Sequence, residues 1–202
     1  MAVITIARKY ASGGRKLGRL LAKRLNCDYV DKYLFQKVAE NLQVSEGTLV
    51  SYEKGRQYRI SNYFARLFSK DYIERIVGHD KTVVEEGEYQ DALRKLVLEV
   101  AEQDNVVIIG RAAHFFLKDV QHCYRLCLVA SEDWRRKYAI ETLGVRPSEV
   151  ERILEERDRN HIWFLHTICG EGFDDSHLFH LTLNMDLVPF EQAVELSLML
   201  AK

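Results

Sequence analysis

The sequence lacks the features by which several classes of protein are recognised. It has two prolines and four cysteines in 202 residues, and its cysteines and histidines form neither a C-x-x-C pair nor a set with the spacing of a zinc site. No apolar run reaches the roughly 18 residues that a membrane span needs, and the start MAVITIARKY has no signal-peptide core. We therefore expect reduced cysteines, no metal-binding residues and a cytoplasmic protein.

The chain also has no excess of charge of either sign. Its 29 basic and 30 acidic residues give a net charge of -1, which indicates neither a nucleic-acid nor a membrane partner. Residues 1–25 are different, because they hold seven basic side chains and no acidic one. Such a local positive field suits an anionic ligand, although a solvated helix face is the alternative for Arg19, Lys23 and Arg24. The seven are Arg8, Lys9, Arg15, Lys16, Arg19, Lys23 and Arg24.

The apolar pattern predicts strands that alternate with helices. Residues 2–7 form a short β-branched run, as in a strand buried on both faces of a parallel sheet. From Gly14 the leucines recur at helical spacing. We predict further strands at 27–31, 105–111, 123–130 and 180–186. We predict further helices at 88–103 and from about Ser131. Another is predicted to begin with Pro147 in its first turn, and the last runs from Pro189 to Leu200. This alternation indicates an α/β domain with a parallel sheet.

A glycine pair follows the first strand and opens the first helix. In α/β folds, ligands bind outside the carboxyl ends of the strands, where a helix N-terminus offers unpaired N–H groups to phosphate. Gly13 and Gly14 let the backbone approach an anion closely. However, the G-x-x-x-x-G-K-[ST] and G-x-G-x-x-G patterns are both absent. The residues alone leave both a phosphate loop and an ordinary turn open. Side-chain donors come from Ser12, Arg15 and Lys16.

Longer patterns extend this motif over most of the chain. The first, ITIARKYASGGRKLGRLLAKRLNCDYVDKYLF, is followed by QDALRKLVLEVAEQDNVVIIGRAAHFFL and by DDSHLFHLTLNMDLVPFEQAVEL. In this order they resemble the cytidylate kinase-like proteins, a branch of the nucleoside-monophosphate kinases. That branch typically reads I-T-I-S-R-x-Y-G-S-G-G-R-E-I-G, with a V-I-V-G-R-C-A strand end later in the chain.

The resemblance implies a fold and an activity. The fold is a three-layer α/β/α domain over residues 1–202, with a five-stranded parallel sheet of the P-loop nucleotide kinase type. A helical acceptor-side insert occupies about residues 40–100, and a lid region about 155–176. The activity is transfer of the γ-phosphoryl group of ATP, with Mg²⁺, to a nucleoside monophosphate, CMP or dCMP in the first instance.

The resemblance also implies roles for residues near the strand ends. Aligned without gaps against ordinary cytidylate kinases, whose loop ends G-A-G-K-G-T, Gly14 occupies the position of the phosphate-binding lysine. Arg15 is the replacement, because a guanidinium can grip two phosphate oxygens at once. Asp31 and Arg111 would meet the acceptor, although they could instead be a helix cap and an exposed strand end. The donor phosphates would contact Ser12, Gly13, Gly14, Arg15 and Lys16.

A lid helix is implied by EERDRNHIWF at 155–164. In this comparison Arg157 and Arg159 neutralise the transferring phosphate, and Asp158 orients the acceptor. The alternative is a helix face of mixed charges in solvent.

Three positions depart from the family pattern. Ala11 replaces a glycine and would strain the loop if its φ is positive. Lys16 replaces a glutamate, and His161 replaces an arginine. With no threonine in the loop, Ser12 is the hydroxyl left for Mg²⁺. These departures favour a second hypothesis, a nucleotide-binding regulatory or sensor protein with weak or no kinase activity. A third is a small-molecule kinase with a non-nucleotide acceptor.

Overall fold

A computed structural model describes residues 2–31 and 86–201 of the chain. Most of the predicted helical insert, residues 40–85, lies outside the described residues. The described strands are β1 (Val3–Arg8), β2 (Asp28–Val30), β3 (Val106–Ile109), β4 (Cys123–Val129) and β5 (Leu181–Asn184). The described α-helices are α1 (Gly14–Leu25), α2 (Glu86–Glu102), α3 (Ala113–Phe116), α4 (Glu132–Glu141), α5 (Val150–Cys169) and α6 (Phe190–Leu200). A short 3₁₀ helix spans Ser176–Leu178.

The five strands form one parallel sheet in the order β2-β3-β1-β4-β5. Strand β1 is central, with Val3 level with Val106 of β3 and with Cys123 of β4. The predicted strand at the start of the chain is thereby confirmed, and its continuous apolar run follows from burial on both faces. The carboxyl ends of β1 and β3 therefore lie side by side, at the edge where α/β proteins bind ligands.

Helices cover both faces of the sheet, which confirms the three-layer α/β/α architecture. Alternate residues of the strands point to opposite faces. On one face Ile4 and Ile6 pack with Leu17 of α1 and with Leu198 of α6. On the other face Val3, Val106 and Ile108 pack with Val97 and Val100 of α2 and with Ala113 of α3.

The helix ends largely follow the predicted signals. Ser131 caps α4 by accepting a hydrogen bond from the Trp134 N–H, and Pro189 immediately precedes α6. The position predicted for Pro147 is wrong, because α5 begins only at Val150. Pro147 instead lies in a turn that Glu149 N–H closes on the Arg146 carbonyl at 2.9 Å. The fixed φ of proline favours the second position of such a turn as much as a first helical turn.

Within the described residues, the cysteines form no disulfide and the helices include no candidate membrane span. All four cysteines are free, and burial raises the pKa of Cys123 to about 11. Among the described residues, no helix combines the length and the apolar composition that crossing a membrane requires.

Gly18 sets the distance between α1 and the sheet. A Cβ at this position would overlap the Cδ1 atom of Ile109, which is completely buried, and would lie 3.1 Å from the Tyr29 ring. We expect Gly18→Ala to lower the free energy of unfolding by about 1 kcal/mol, since overpacking outweighs the gain in helix propensity. Urea denaturation followed by circular dichroism measures this change.

The partner variant Ile109→Val removes the overlapped methyl group. The loss in Gly18→Ala/Ile109→Val should therefore be smaller than the sum of the two single losses. Strict additivity would contradict the packing role of Gly18.

Candidate functional site

The loop Lys9–Gly13 joins β1 to α1 and contains two left-handed residues. Gly13 has φ 83 and Ala11 has φ 61, so the backbone strain predicted for alanine is confirmed. Ser12 is buried, and its hydroxyl donates to the Lys9 carbonyl at 2.9 Å. The loop thus closes on itself directly before the first turn of α1, whose N–H groups have no partner within the helix. This is the backbone geometry that holds phosphate in α/β proteins.

The methyl group of Ala11 fixes the loop against two helices. It is buried in a small apolar cluster with Ala139 of α4 and with Val150 and Leu154 of α5. A left-handed alanine costs about 1–2 kcal/mol, and burial of one methyl group offsets about 0.8 kcal/mol of that cost. The alanine therefore links the loop to α4 and α5 at a moderate cost in backbone strain.

A second strained segment faces the loop at the end of β3. Gly110, Arg111 and Ala112 follow one another with φ of 71, 58 and 55, all left-handed. The turn is held because Gly110 N–H donates to the Ile6 carbonyl of β1 at 3.0 Å. Non-glycine residues in this region cost roughly 1–3 kcal/mol each and cluster at functional sites. The turn holds the Arg111 guanidinium 5.6 Å from the centre of the Phe164 ring of α5.

Asp31 follows β2 and lies beside the glycine loop. Its buried carboxylate accepts a hydrogen bond from the Tyr29 hydroxyl at 3.0 Å. The same carboxylate oxygen is 3.5 Å from Nε of Arg15, whose side chain is 54% exposed. Burial, together with the charge of Asp31, raises the pKa of Tyr29, so this phenol remains a hydrogen-bond donor. The structure thus brings together Arg15 and Asp31, two of the predicted site residues.

Arg8, the last residue of β1, lies between the two strained segments and is missing from the predicted site. A Cβ on Gly14 would come within 2.9 Å of its Cγ, and one on Gly110 within 2.5 Å of its Nη1. Its side chain therefore runs along the bare backbone of both glycines. Burial, and then the nearby charge of Arg15, lower the pKa of Arg8 to about 10. A basic residue at the end of the central strand, followed by glycines, is the sequence signal that could have identified it.

The predicted lid residues differ in their surroundings. The Asp158 carboxylate forms a two-point ion pair with Arg135 of α4, both contacts being 2.8 Å. Arg135 also donates to the carbonyl of Tyr10 in the loop at 3.3 Å. The Arg157 guanidinium lies 5.8 Å from the centre of the Tyr10 ring. Arg159 is exposed, and no ion pair joins it to the described residues. The structure therefore brings Arg157 and Asp158 to the loop and leaves Arg159 in solvent.

His161 lies one turn beyond Asp158 on α5. Burial, followed by the charge of Arg8, lowers its pKa to about 4, although Asp158 opposes this effect. The imidazole is therefore neutral at physiological pH. At this position the side chain adds a hydrogen-bonding group but no positive charge.

An aromatic cluster of Trp134, Tyr138 and Phe190 borders the loop next to Gly13. The Phe190 ring covers Gly13, where a Cβ would lie 2.5 Å from its Cζ atom, and Lys16 Nζ lies 4.1 Å from the ring centre. Trp134 and Tyr138 stack with ring centres 5.0 Å apart, and Phe190 lies 6.1 Å from Tyr138. Stacked aromatic rings of this kind suit a nucleobase. The cluster was not predicted from the sequence, because its members come from two helices distant in the chain.

The donors around the loop do not fit a magnesium ion held by the protein. Within the described residues, no three histidine, cysteine or acidic side chains form a group that could hold a metal. The Ser12 hydroxyl donates to Lys9, and Asp31 is engaged by Tyr29 and lies near Arg15. Magnesium is commonly held by one or two carboxylates together with substrate phosphates. The ion would therefore enter with the nucleotide, as part of the substrate.

The five-stranded parallel sheet with helices on both faces is similar in fold to the P-loop kinases. Solved structures of similar fold include an uncharacterized protein from Eubacterium ventriosum, with 17% identity, a TM-score of 0.66 and coverage of 100% of this chain and 98% of that one. A shikimate kinase from Bacteroides thetaiotaomicron has 16% identity, a TM-score of 0.52 and coverage of 98% and 97%. A gluconokinase from Sinorhizobium meliloti has 13% identity, a TM-score of 0.50 and coverage of 98% and 90%.

The chain belongs to the cytidylate kinase-like family, whose model matches residues 3–187. This match confirms the resemblance that the glycine turn and the strand ends indicate. A search of curated proteins gave no match.

The burial of His161 predicts a pH-dependent stability. Its pKa is about 4 in the folded protein against 6.5 as the ordinary value, so between these values the unfolded chain binds a proton that the folded protein does not. Stability should therefore fall as the pH is lowered from 6.5 towards 4. In His161→Gln this fall should be shallower than in the wild type, as measured by urea denaturation at a series of pH values.

The matched control is His166→Gln, at an exposed position of the same helix. It should keep the pH dependence of the wild type. Equal slopes in wild type and His161→Gln would show that His161 is not held neutral by its surroundings.

Proposed function

We propose that the protein is an ATP-dependent phosphotransferase whose acceptor is a nucleoside monophosphate, CMP or dCMP in the first instance. One observation carries the proposal. Arginines from β1, the start of α1 and the turn after β3 gather at one end of the sheet, with the described carboxylate of Asp31 beside them. Such an excess of positive charge is what phosphoryl transfer requires, since the reaction depends on positioning and charge stabilisation more than on covalent chemistry by the protein.

The glycine loop is the donor side of the proposed site. The backbone N–H groups at the start of α1 and the side chain of Arg15 would bind the phosphates of ATP. The aromatic cluster of Trp134, Tyr138 and Phe190 lies next to this loop and offers a stacking surface for the base. The donor residues are Ser12, Gly13, Gly14, Arg15 and Lys16.

The acceptor side is assigned to Asp31 and Arg111. In the transfer step, an oxygen of the acceptor phosphate forms a bond to the γ-phosphorus of ATP. The bond between that phosphorus and the β–γ bridging oxygen breaks, and its electron pair leaves with ADP. Arg157 would neutralise the transferring group from α5, whereas the exposed Arg159 would have to turn towards the site to do so. Asp158 is paired with Arg135, so its direct contact with an acceptor requires this ion pair to open.

A second candidate is a nucleotide sensor with weak or no kinase activity. Two observations favour it, the left-handed alanine at position 11 and the neutral histidine at position 161. An arginine at a transition state contributes about 10³–10⁵-fold in rate in some phosphoryl-transfer enzymes, and a neutral imidazole replaces little of this charge. A small-molecule kinase with a non-nucleotide acceptor is the remaining alternative.

A screen of acceptors by ADP release separates these functions. The purified protein is incubated with ATP and Mg²⁺ and with nucleoside monophosphates, deoxynucleoside monophosphates or phosphate-free small molecules, and ADP binding and ATP binding are measured by calorimetry in parallel. Turnover with CMP or dCMP supports the nucleotide kinase, and turnover with another acceptor alone supports the third function. Binding without turnover favours the sensor, and the absence of any nucleotide binding would contradict the proposal.

Removal of the site arginines should abolish turnover. We expect Arg15→Ala and Arg111→Ala each to lower kcat/KM by at least about 100-fold, because each removes charge that stabilises the transferring group. Initial rates of ADP formation over a range of acceptor concentrations measure the effect.

The control is Arg24→Ala, at the last turn of the same helix as Arg15. Arg24 pairs with Glu195 on the surface, and its loss should leave kcat/KM within about twofold of wild type. Full activity in Arg15→Ala or in Arg111→Ala would refute the role of that arginine.

A further inference from the structure

We propose that Arg8 supplies the phosphate-binding cation that the loop lacks at the usual lysine position. Its guanidinium would grip the phosphoryl group that passes between the glycine loop and the turn Gly110–Ala112. This inference rests on the proposed phosphate-binding function and names the residue through which it acts.

The path of the side chain is the first argument. Arg8 leaves the carboxyl end of β1, the central strand, and its Cγ lies over Gly14 while its Nη1 lies over Gly110. Gly14 stands where related loops carry the phosphate lysine. The positive charge therefore comes from Arg8 at the end of the strand rather than from a residue of the helix. The absence of a side chain on Gly14 leaves the space that the Arg8 side chain occupies.

Charge is the second argument. Arg8 is surrounded by Arg15 and Arg111, and both lower its pKa, while Asp31 and Tyr29 act in the opposite direction. Within the described residues, the Arg8 guanidinium has neither a hydrogen bond nor an ion pair. A guanidinium that serves only the fold normally binds carboxylates or carbonyl oxygens, as Arg135 does with Asp158 and Tyr10. A bound anion would relieve the repulsion and satisfy the donors.

The position of Arg8 relative to Arg15 is the third argument. Arg15 is about half exposed and lies beside Asp31, so part of its charge is already compensated. Arg8 lies deeper, between the donor and acceptor sides of the proposed site. Its planar donor group can contact oxygens from both sides at once.

Two separate features of this arrangement require glycine at position 110. Its φ of 71 favours glycine, and a side chain there would displace the Arg8 guanidinium. The strained turn after β3 thus keeps the space that the arginine occupies.

The test measures affinity and stability together in the full chain. Pyrophosphate and ADP are titrated calorimetrically into wild type, Arg8→Met, Arg8→Lys and Gly14→Ala, with Arg24→Met as the surface control. We expect Arg8→Met to lower the affinity for both probes at least tenfold while the melting temperature of the ligand-free protein stays level or rises, because a repelled cation is removed. Arg8→Lys should lose less affinity, and Arg24→Met should match wild type.

Gly14→Ala keeps the arginine but pushes its side chain aside, so it should also lose affinity, even if Arg8→Met does not fold. Tight binding by wild type with unchanged affinity in Arg8→Met and Gly14→Ala would overturn the role of Arg8 alone. A lower melting temperature in Arg8→Met with unchanged affinity would assign Arg8 to the fold. No binding of either probe by wild type would overturn the proposed function, and this inference with it.

Discussion

The repulsion among Arg8, Arg15 and Arg111 is the interaction on which the rest of the site depends. Three guanidinium groups meet at the carboxyl ends of β1 and β3 and at the start of α1, and among the described residues Asp31 opposes their repulsion at Arg8. The sheet order makes this unavoidable, because β1 and β3 are neighbours and end at the same edge. The fold tolerates the repulsion through the burial of β1 on both faces. An anionic ligand is the natural counterpart of such an edge.

Backbone strain concentrates around the same three arginines. The loop before α1 and the turn after β3 together hold five left-handed residues, two of them glycines. The strain is sustained because hydrogen bonds and packing fix each segment, as with Ser12 in the loop and the Gly110 N–H in the turn. The α5 helix contacts both segments, through Leu154 and Arg157 at the loop and Phe164 at the turn.

The fold was more predictable than the site, for physical reasons. Strand β1 is a continuous apolar run and helix α1 has leucines at helical spacing, so the existence of both follows from sequence alone. The family resemblance supplied the five-stranded parallel sheet of the P-loop kinase type and pointed to Arg15, Asp31 and Arg111 as site residues. Arg8 was missed, because its proposed role depends on its contacts with Gly14 and Gly110, which are far apart in the chain. The pairing of Asp158 with Arg135, 23 residues away, depends on how two helices cross, which periodicity does not encode.

Ala11 has a consequence for the stability of this loop and for its attachment to the neighbouring helices. A change to glycine would remove about 1–2 kcal/mol of left-handed strain. It would also forfeit about 0.8 kcal/mol of methyl burial and about 0.4–1 kcal/mol through the freer unfolded chain. These terms nearly cancel, so an alanine at this position leaves the free energy of unfolding close to that of a glycine. What distinguishes the two is mechanical: the alanine anchors the loop to α4 and α5, whereas a glycine would let loop and helices move independently.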